Sequence, residues 1–161
     1  MSDLLVVGIS DYKVAREPET LVTYALGSCV GICIYDKKLK MGGLAHIMLP
    51  DSTAFSNREL NRMKFADTAI VDMVNDLKML GSLQTDMTAK IAGGAQMFGN
   101  SDDMIGSIGD RNVDSVKNVL RKLRIPIIAE DTRQNYGRTL YFYLTTGIVK
   151  VQSLSRGVKE F

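Results

Sequence analysis

Apolar and polar positions alternate in short runs over most of the chain, and only two segments change to a helical period. The runs "LLVVGI" (4–9), "LVTYAL" (21–26), "VGICIY" (30–35), "GLAHIML" (43–49), "TAKIAG" (88–93), "IPIIAE" (125–130), "TLYFYLT" (139–145) and "IVKVQS" (148–153) are rich in β-branched and aromatic residues and are flanked by Gly, Asp and Asn. That content predicts strands. The polar link "YDKKLKMGG" predicts a hairpin between 30–35 and 43–49, and "TTG" at 145–147 predicts another.

The first helical segment opens on Ser56-Asn57-Arg58-Glu59, a capping-box pattern. Leu60, Met63, Ala66, Ile70, Met73, Val74, Leu77 and Leu80 follow at three-to-four spacing, and Gly81 is a natural stop. The second is expected to be capped by Asn112, with Val113, Val116, Val119, Leu120 and Leu123 as its apolar stripe. Each stripe needs a sheet to cover. The pattern therefore predicts an α/β fold, a layered sandwich of mixed, mostly antiparallel β-sheet with flanking helices.

A length of 161 residues fits one domain over 1–161, with 45% hydrophobic and 24% charged residues as in ordinary globular proteins. The formal net charge is +2 and basic residues are interspersed with acidic ones, which argues against a nucleic-acid or anionic-membrane surface. "MSDLLVVGISDYKVAREPE" lacks a basic n-region and breaks its apolar run at Ser10 and Asp11, so neither a signal peptide nor direct membrane insertion is expected. Two cysteines in such a chain predict free thiols in a reducing compartment, hence a cytoplasmic location.

"LVTYALGSCVGICIY" places Cys29 where a strand begins, straight after a Gly27-Ser28 turn. Thiol chemistry on an amide needs a nucleophile, a base that takes and returns a proton, and a group that holds the base in one tautomer. The chain has one histidine, His46, on the strand expected to pair with the one Cys29 begins. Thr23 stands on the preceding strand and can reach the other ring nitrogen. The turn amides, Gly27, Ser28 and Cys29 among them, are candidate oxyanion donors. The residue types alone leave a passive core cysteine open as the alternative. A metal site of Cys29, Cys33 and His46 is disfavoured, because positions four apart on one strand are roughly 13 Å apart. Cys33 is expected in the core.

"TYALGSCV" and "GLAHIMLPDS", with "KIAGGAQMF", "IGDRNV", "AEDT" and "GRTLYFYLTTG", resemble the CheD family of chemoreceptor glutamine deamidases of bacterial and archaeal chemotaxis. The resemblance covers nearly the whole chain in order. It implies an α/β sandwich around a triad, with Cys29 as nucleophile, His46 as general base and acid, and Thr23 orienting it. It implies no cofactor and no metal. It also implies two partners: the cytoplasmic helical bundle of a chemoreceptor as substrate, and a CheC-type phosphatase. The alternative to the deamidase reading is that the chain acts mainly as a regulatory binding module that complexes with this phosphatase and stimulates it, with little catalytic use of the triad.

"IAGGAQMFGNSDDMIGSIGDRN" is glycine-rich but lacks the Gly-Lys-Ser/Thr of a P-loop and the spacing of a dinucleotide fingerprint. Gly93 and Gly94 are expected to let the backbone approach a substrate or a neighbouring strand closely. Met97 and Phe98 are candidates for an apolar contact with a partner helix, or for core packing.

Overall fold

The computed structural model describes residues 3–55, 60–97 and 107–161. One sheet is built, in spatial order, from β1 (Leu4–Val6), β3 (Thr20–Leu26), β8 (Arg138–Tyr143), β9 (Val149–Ser153) and β10 (Gly157–Glu160). The other runs β2 (Asp11–Arg16), β5 (Met41–Ile47), β4 (Val30–Asp36), β6 (Met87–Gly93) and β7 (Ile127–Thr132). Helices α1 (Ala66–Met79) and α2 (Ile108–Lys122) complete the described elements of any length. Among the named strands β1/β3 and β6/β7 pair in parallel and the other pairs are antiparallel, so the sheets are mixed and mostly antiparallel, as the pattern predicts.

Side-chain alternation along the β4–β5 hairpin sets the layers. Val30, Ile32 and Ile34 face the helices, where they meet Ile70 and Met73 of α1 and Val113 and Val116 of α2. The intervening Cys33 faces the first sheet with Leu44, packing on Leu21, Leu140 and Phe142. The order is therefore sheet, sheet, helices. Ile32 and Ile34 are completely buried, each contributing about 1.5–3 kcal/mol of hydrophobic stabilisation. Both predicted hairpins form, β4–β5 and β8–β9.

Three expectations need correction. The first helix begins at Ala66 rather than near Leu60, and the proposed capping box at 56–59 lies outside the described residues. Residues 64–66 instead pair with the chain leaving β5. The Lys64 carbonyl accepts from the Met48 and Leu49 amides, and the Ala66 amide donates to the Leu49 carbonyl. Phe65 is consequently extended and precedes the helix without a side-chain cap. The helix does end as expected: the Gly81 amide donates to Lys78 and the Ser82 amide to Leu77, a Schellman closure around Gly81 at φ +108°.

The second helix is capped by Ser107, whose Oγ accepts from the Asp110 amide at 3.2 Å, and not by Asn112. Asn112 lies inside the helix, fully buried, with its Nδ2 committed elsewhere and its Oδ1 without a partner among the described residues. Finally, β2 and β10 are strands without a run to announce them. "DYKVAR" is polar and β10 is exposed throughout, because each is the edge of its sheet.

Candidate active site

Thr23 and His46 come from different sheets and meet in the gap between them. Thr23 is opposite Leu140 in the first sheet, just before a register shift that ends at Leu26. Ala25, inside that irregularity, has φ +59°, a left-handed conformation costing of order 1 kcal/mol without glycine. His46 stands between Asp11 of β2 and Gly31 of β4 in the second sheet. Both side chains are completely buried.

Thr23 Oγ1 lies 2.6 Å from His46 Nδ1 and donates to the Val7 carbonyl at 2.7 Å. A hydroxyl has one hydrogen. Since that hydrogen goes to Val7, Oγ1 accepts from the imidazole, and Nδ1 carries the ring proton. Nε2 is then the basic nitrogen, buried and without a hydrogen-bond partner among the described residues. Burial disfavours the imidazolium and pulls the His46 pKa down to about 4.

This shift has a consequence for stability. The unfolded chain takes up a proton on His46 below its ordinary value of about 6.5, whereas the folded chain resists protonation until about 4. His46 therefore lowers stability as pH falls from 6.5 to 4, by at most about 1.4 kcal/mol per pH unit, and leaves it unchanged above that window. Between pH 6.5 and pH 5 the wild type should lose about 2 kcal/mol more than a His46→Gln variant in urea unfolding. Parallel slopes for the two proteins would contradict the buried neutral imidazole.

Gly27-Ser28-Cys29 carries the chain from β3 in one sheet to β4 in the other. The connection is bonded along its length. The Gly27 carbonyl accepts from the Ala95 amide at 2.9 Å, the Ser28 carbonyl from Asn112 Nδ2 at 2.9 Å, and the Cys29 carbonyl from the Gly94 amide at 2.8 Å. A Cβ on Gly93 would lie 2.3 Å from the Cys29 carbonyl oxygen, and one on Gly94 would lie 2.2 Å from Val113 Cγ2. Both glycines have positive φ, +111° and +70°. Their role is close approach to the turn that holds the cysteine.

Cys29 is half-buried and Cys33 fully buried, and both thiols are free. Burial pushes the Cys29 thiol up from its usual value, while a hydrogen bond from its own amide pulls the other way. Burial pushes Cys33 up far more strongly, opposed by the Lys90 ammonium. Cys33 sits in the inter-sheet core, as expected.

Among the other sequence candidates, the Gly27 amide donates to the Ala25 carbonyl at 3.1 Å and is occupied, while the Ser28 carbonyl faces Asn112. Met97 lies against Gly27, 3.2 Å from where a Cβ would stand. With Ala25, Tyr136, Arg138, Leu154 and Val158 it lines an open groove of about 660 Å³. Phe98 lies outside the described residues. Asn112 was missed as part of this region because Asn near a helix start reads as a cap. Among the described residues no three His, Cys, Asp or Glu side chains gather as metal ligands, and no helix is long and apolar enough to cross a membrane.

Residues 48–153 match the family model described as "CheD chemotactic sensory transduction". Thr23, Cys29 and His46 precede that segment but fall inside the stretches shared with whole-length relatives. A protein of Clostridium kluyveri is 51% identical over 155 residues, covering 96% of this chain and 95% of its own length. One of Moorella thermoacetica is 50% identical over 155 residues, covering 95% and 92%, and one of Clostridium novyi is 50% identical over 158 residues, covering 98% and 97%. Each bears the name "Probable chemoreceptor glutamine deamidase CheD". With the family model matched over most of the chain and relatives at half identity from end to end, this chain belongs to the CheD family.

Proposed function

We propose that the protein is a protein-glutamine deamidase of chemoreceptors, acting in chemotaxis through Cys29, His46 and Thr23. The observation that carries this reading is the Thr23–His46 contact, which assigns the ring proton to Nδ1 and leaves the basic Nε2 without a partner among the described residues. Cys29 stands two residues before Gly31, the cross-strand partner of His46, just outside the ladder, and packs on the inter-sheet cluster that includes Leu44, which shares a strand face with His46. Diagonal neighbours of this kind have Cα atoms roughly 7–8 Å apart, within reach of an imidazole and a thiol.

At neutral pH the pair rests as thiol and neutral imidazole, since burial opposes charge on both. That resting state argues against a thiol that alkylates freely below neutral pH, which a preformed thiolate would require. Nε2 instead takes the thiol proton as the sulfur attacks the carboxamide carbon. The Gly27 amide is occupied, so the turn donors for the oxyanion are the Ser28 amide and the Cys29 amide, which turns from its own sulfur to the oxyanion as the sulfur attacks. The imidazolium returns its proton to the leaving nitrogen, ammonia departs and a thioester remains. Water, losing a proton to the same Nε2, attacks the thioester, and the thiol and a glutamate side chain are regenerated. One water enters and one ammonia leaves per turnover.

The chemistry adds a negative charge to the receptor helix, and the chain works in the cytoplasm where that helical bundle lies. A CheC-type phosphatase is its second partner in this reading, binding without use of the thiol. The test is Cys29→Ala, assayed by ammonia release and by mass spectrometry of a receptor cytoplasmic fragment. Conversion of glutamine should fall below detection while phosphatase binding persists. Conversion at the wild-type rate would end the proposal.

A further inference from the structure

Asn112 touches both chain segments on which the proposed chemistry depends. It lies within α2, fully buried, and its Nδ2 donates to the Ser28 carbonyl and to the Met48 carbonyl, each at 2.9 Å. Ser28 immediately precedes Cys29, and Met48 is two residues beyond His46. A single amide group thus uses its two hydrogens to bind two carbonyls from separate connections, one leaving the first sheet and the other leaving β5. The helix that presents it is seated against the end of β6: a Cβ on Gly109 would lie 2.5 Å from the Ala95 carbonyl oxygen, and Val113 fills the space beside Gly94.

We infer that Asn112 is a positioning residue for the deamidation, setting the distance between the nucleophile's turn and the base's strand. The inference rests on the roles proposed above for Cys29 and His46. Hydrogen bonds inside one strand ladder fix His46 relative to β4, but Cys29 lies before the ladder begins at Val30. Its turn needs an anchor of its own. The Gly94 and Ala95 amides, just past the end of β6, hold the Cys29 and Gly27 carbonyls, and Asn112 holds the Ser28 carbonyl between them from the helix layer, with the same group gripping the base's side. Loss of this bridge lets the turn shift against the imidazole by a fraction of an ångström. Displacements of that size slow a proton-coupled attack without altering how the substrate docks.

Asn112 touches no substrate in this account, since it is completely buried. A purely structural role predicts a different outcome. Asn112→Leu keeps the shape of the side chain and removes both donors. It should lower kcat by about 10–10²-fold, corrected for folded fraction, with KM for a receptor cytoplasmic fragment within about 3-fold of wild type. Ser115→Ala is the control: Ser115 Oγ donates to the Pro50 carbonyl at 2.6 Å from the same helix, so its loss removes a comparable bond without touching the Cys29 turn. It should lower the melting temperature and leave kcat unchanged. If Asn112→Leu does not fold, Asn112→Ser, too short to span both carbonyls, carries the same expectation.

Wild-type kcat in the folded fraction of either Asn112 variant overturns the inference, as does an equal fall in kcat for Ser115→Ala. Cys29→Ala run beside them separates the two levels. An inactive Cys29→Ala with a fully active Asn112→Leu removes only the positioning role, whereas an active Cys29→Ala removes the deamidase reading beneath it.

Discussion

A His46→Gln variant is expected to lose at least about 10³-fold in kcat for ammonia release. In the proposed mechanism Nε2 of His46 takes the thiol proton, returns it to the departing nitrogen and activates the hydrolytic water, and the chain has no second histidine to substitute. Glutamine can accept the Thr23 hydroxyl or donate to it but has no group that shuttles protons near neutrality. The pH dependence adds a second readout. With the imidazole pKa near 4, kcat/KM of the wild type should show no histidine-dependent decline between pH 8 and pH 5, where an exposed imidazole would already be largely protonated. Initial rates on a receptor cytoplasmic fragment across that range decide it. A variant within tenfold of wild type would exclude His46 as the base, and an acid limb near pH 6.5 would contradict the buried, neutral ring.

Gly93→Ala should be the most damaging methyl group that can be added near the site. The new Cβ would lie 2.3 Å from the Cys29 carbonyl oxygen, a backbone atom that cannot swing aside, at a φ of +111° that side chains rarely adopt. Strain and overlap together are expected to cost about 3 kcal/mol or more, lowering the melting temperature by roughly 6–12 °C in a chain of this size. Relief must come from movement of the Cys29 turn, so the folded fraction should also turn over more slowly. Gly8→Ala is the matched control, because a Cβ there meets nothing within 4 Å. Equal melting temperatures for the two variants would show that the β6 end does not press on the nucleophile's turn.

The hairpin that carries His46 and the strand that follows Cys29 were legible because β-branched runs and a polar link are local signals. The apolar stripe of α2 was legible for the same reason: Val113, Val116 and Leu120 repeat at helical spacing. The start of α1 was not. Residues 64–66 obey a pairing with Met48 and Leu49 that no local window contains, and it overrides a helical pattern begun at Leu60. Asn112 failed in the opposite sense, since a good capping residue was read by its local preference while its partners lie far off in sequence, at Ser28 and Met48.

The site itself was legible only as residue types. The predicted hairpin put His46 on the strand beside the one that starts near Cys29, but not opposite Gly31 on a face that looks onto a second sheet where Thr23 waits. Nor could it show that burial raises the Cys29 thiol. That shift depends on how tightly the crossover packs against β6, which is a property of the stacked layers.

The bond between Thr23 and His46 spans the two sheets, and the Gly27–Cys29 segment is the strap that passes between them. A chain whose sheets have formed but not yet stacked has its imidazole free to exchange ring protons and its thiol without a fixed companion. With the proposed triad, hydrolytic competence would arrive late, at the closing of the sandwich, and a nascent or damaged copy would be chemically mute toward the amides around it.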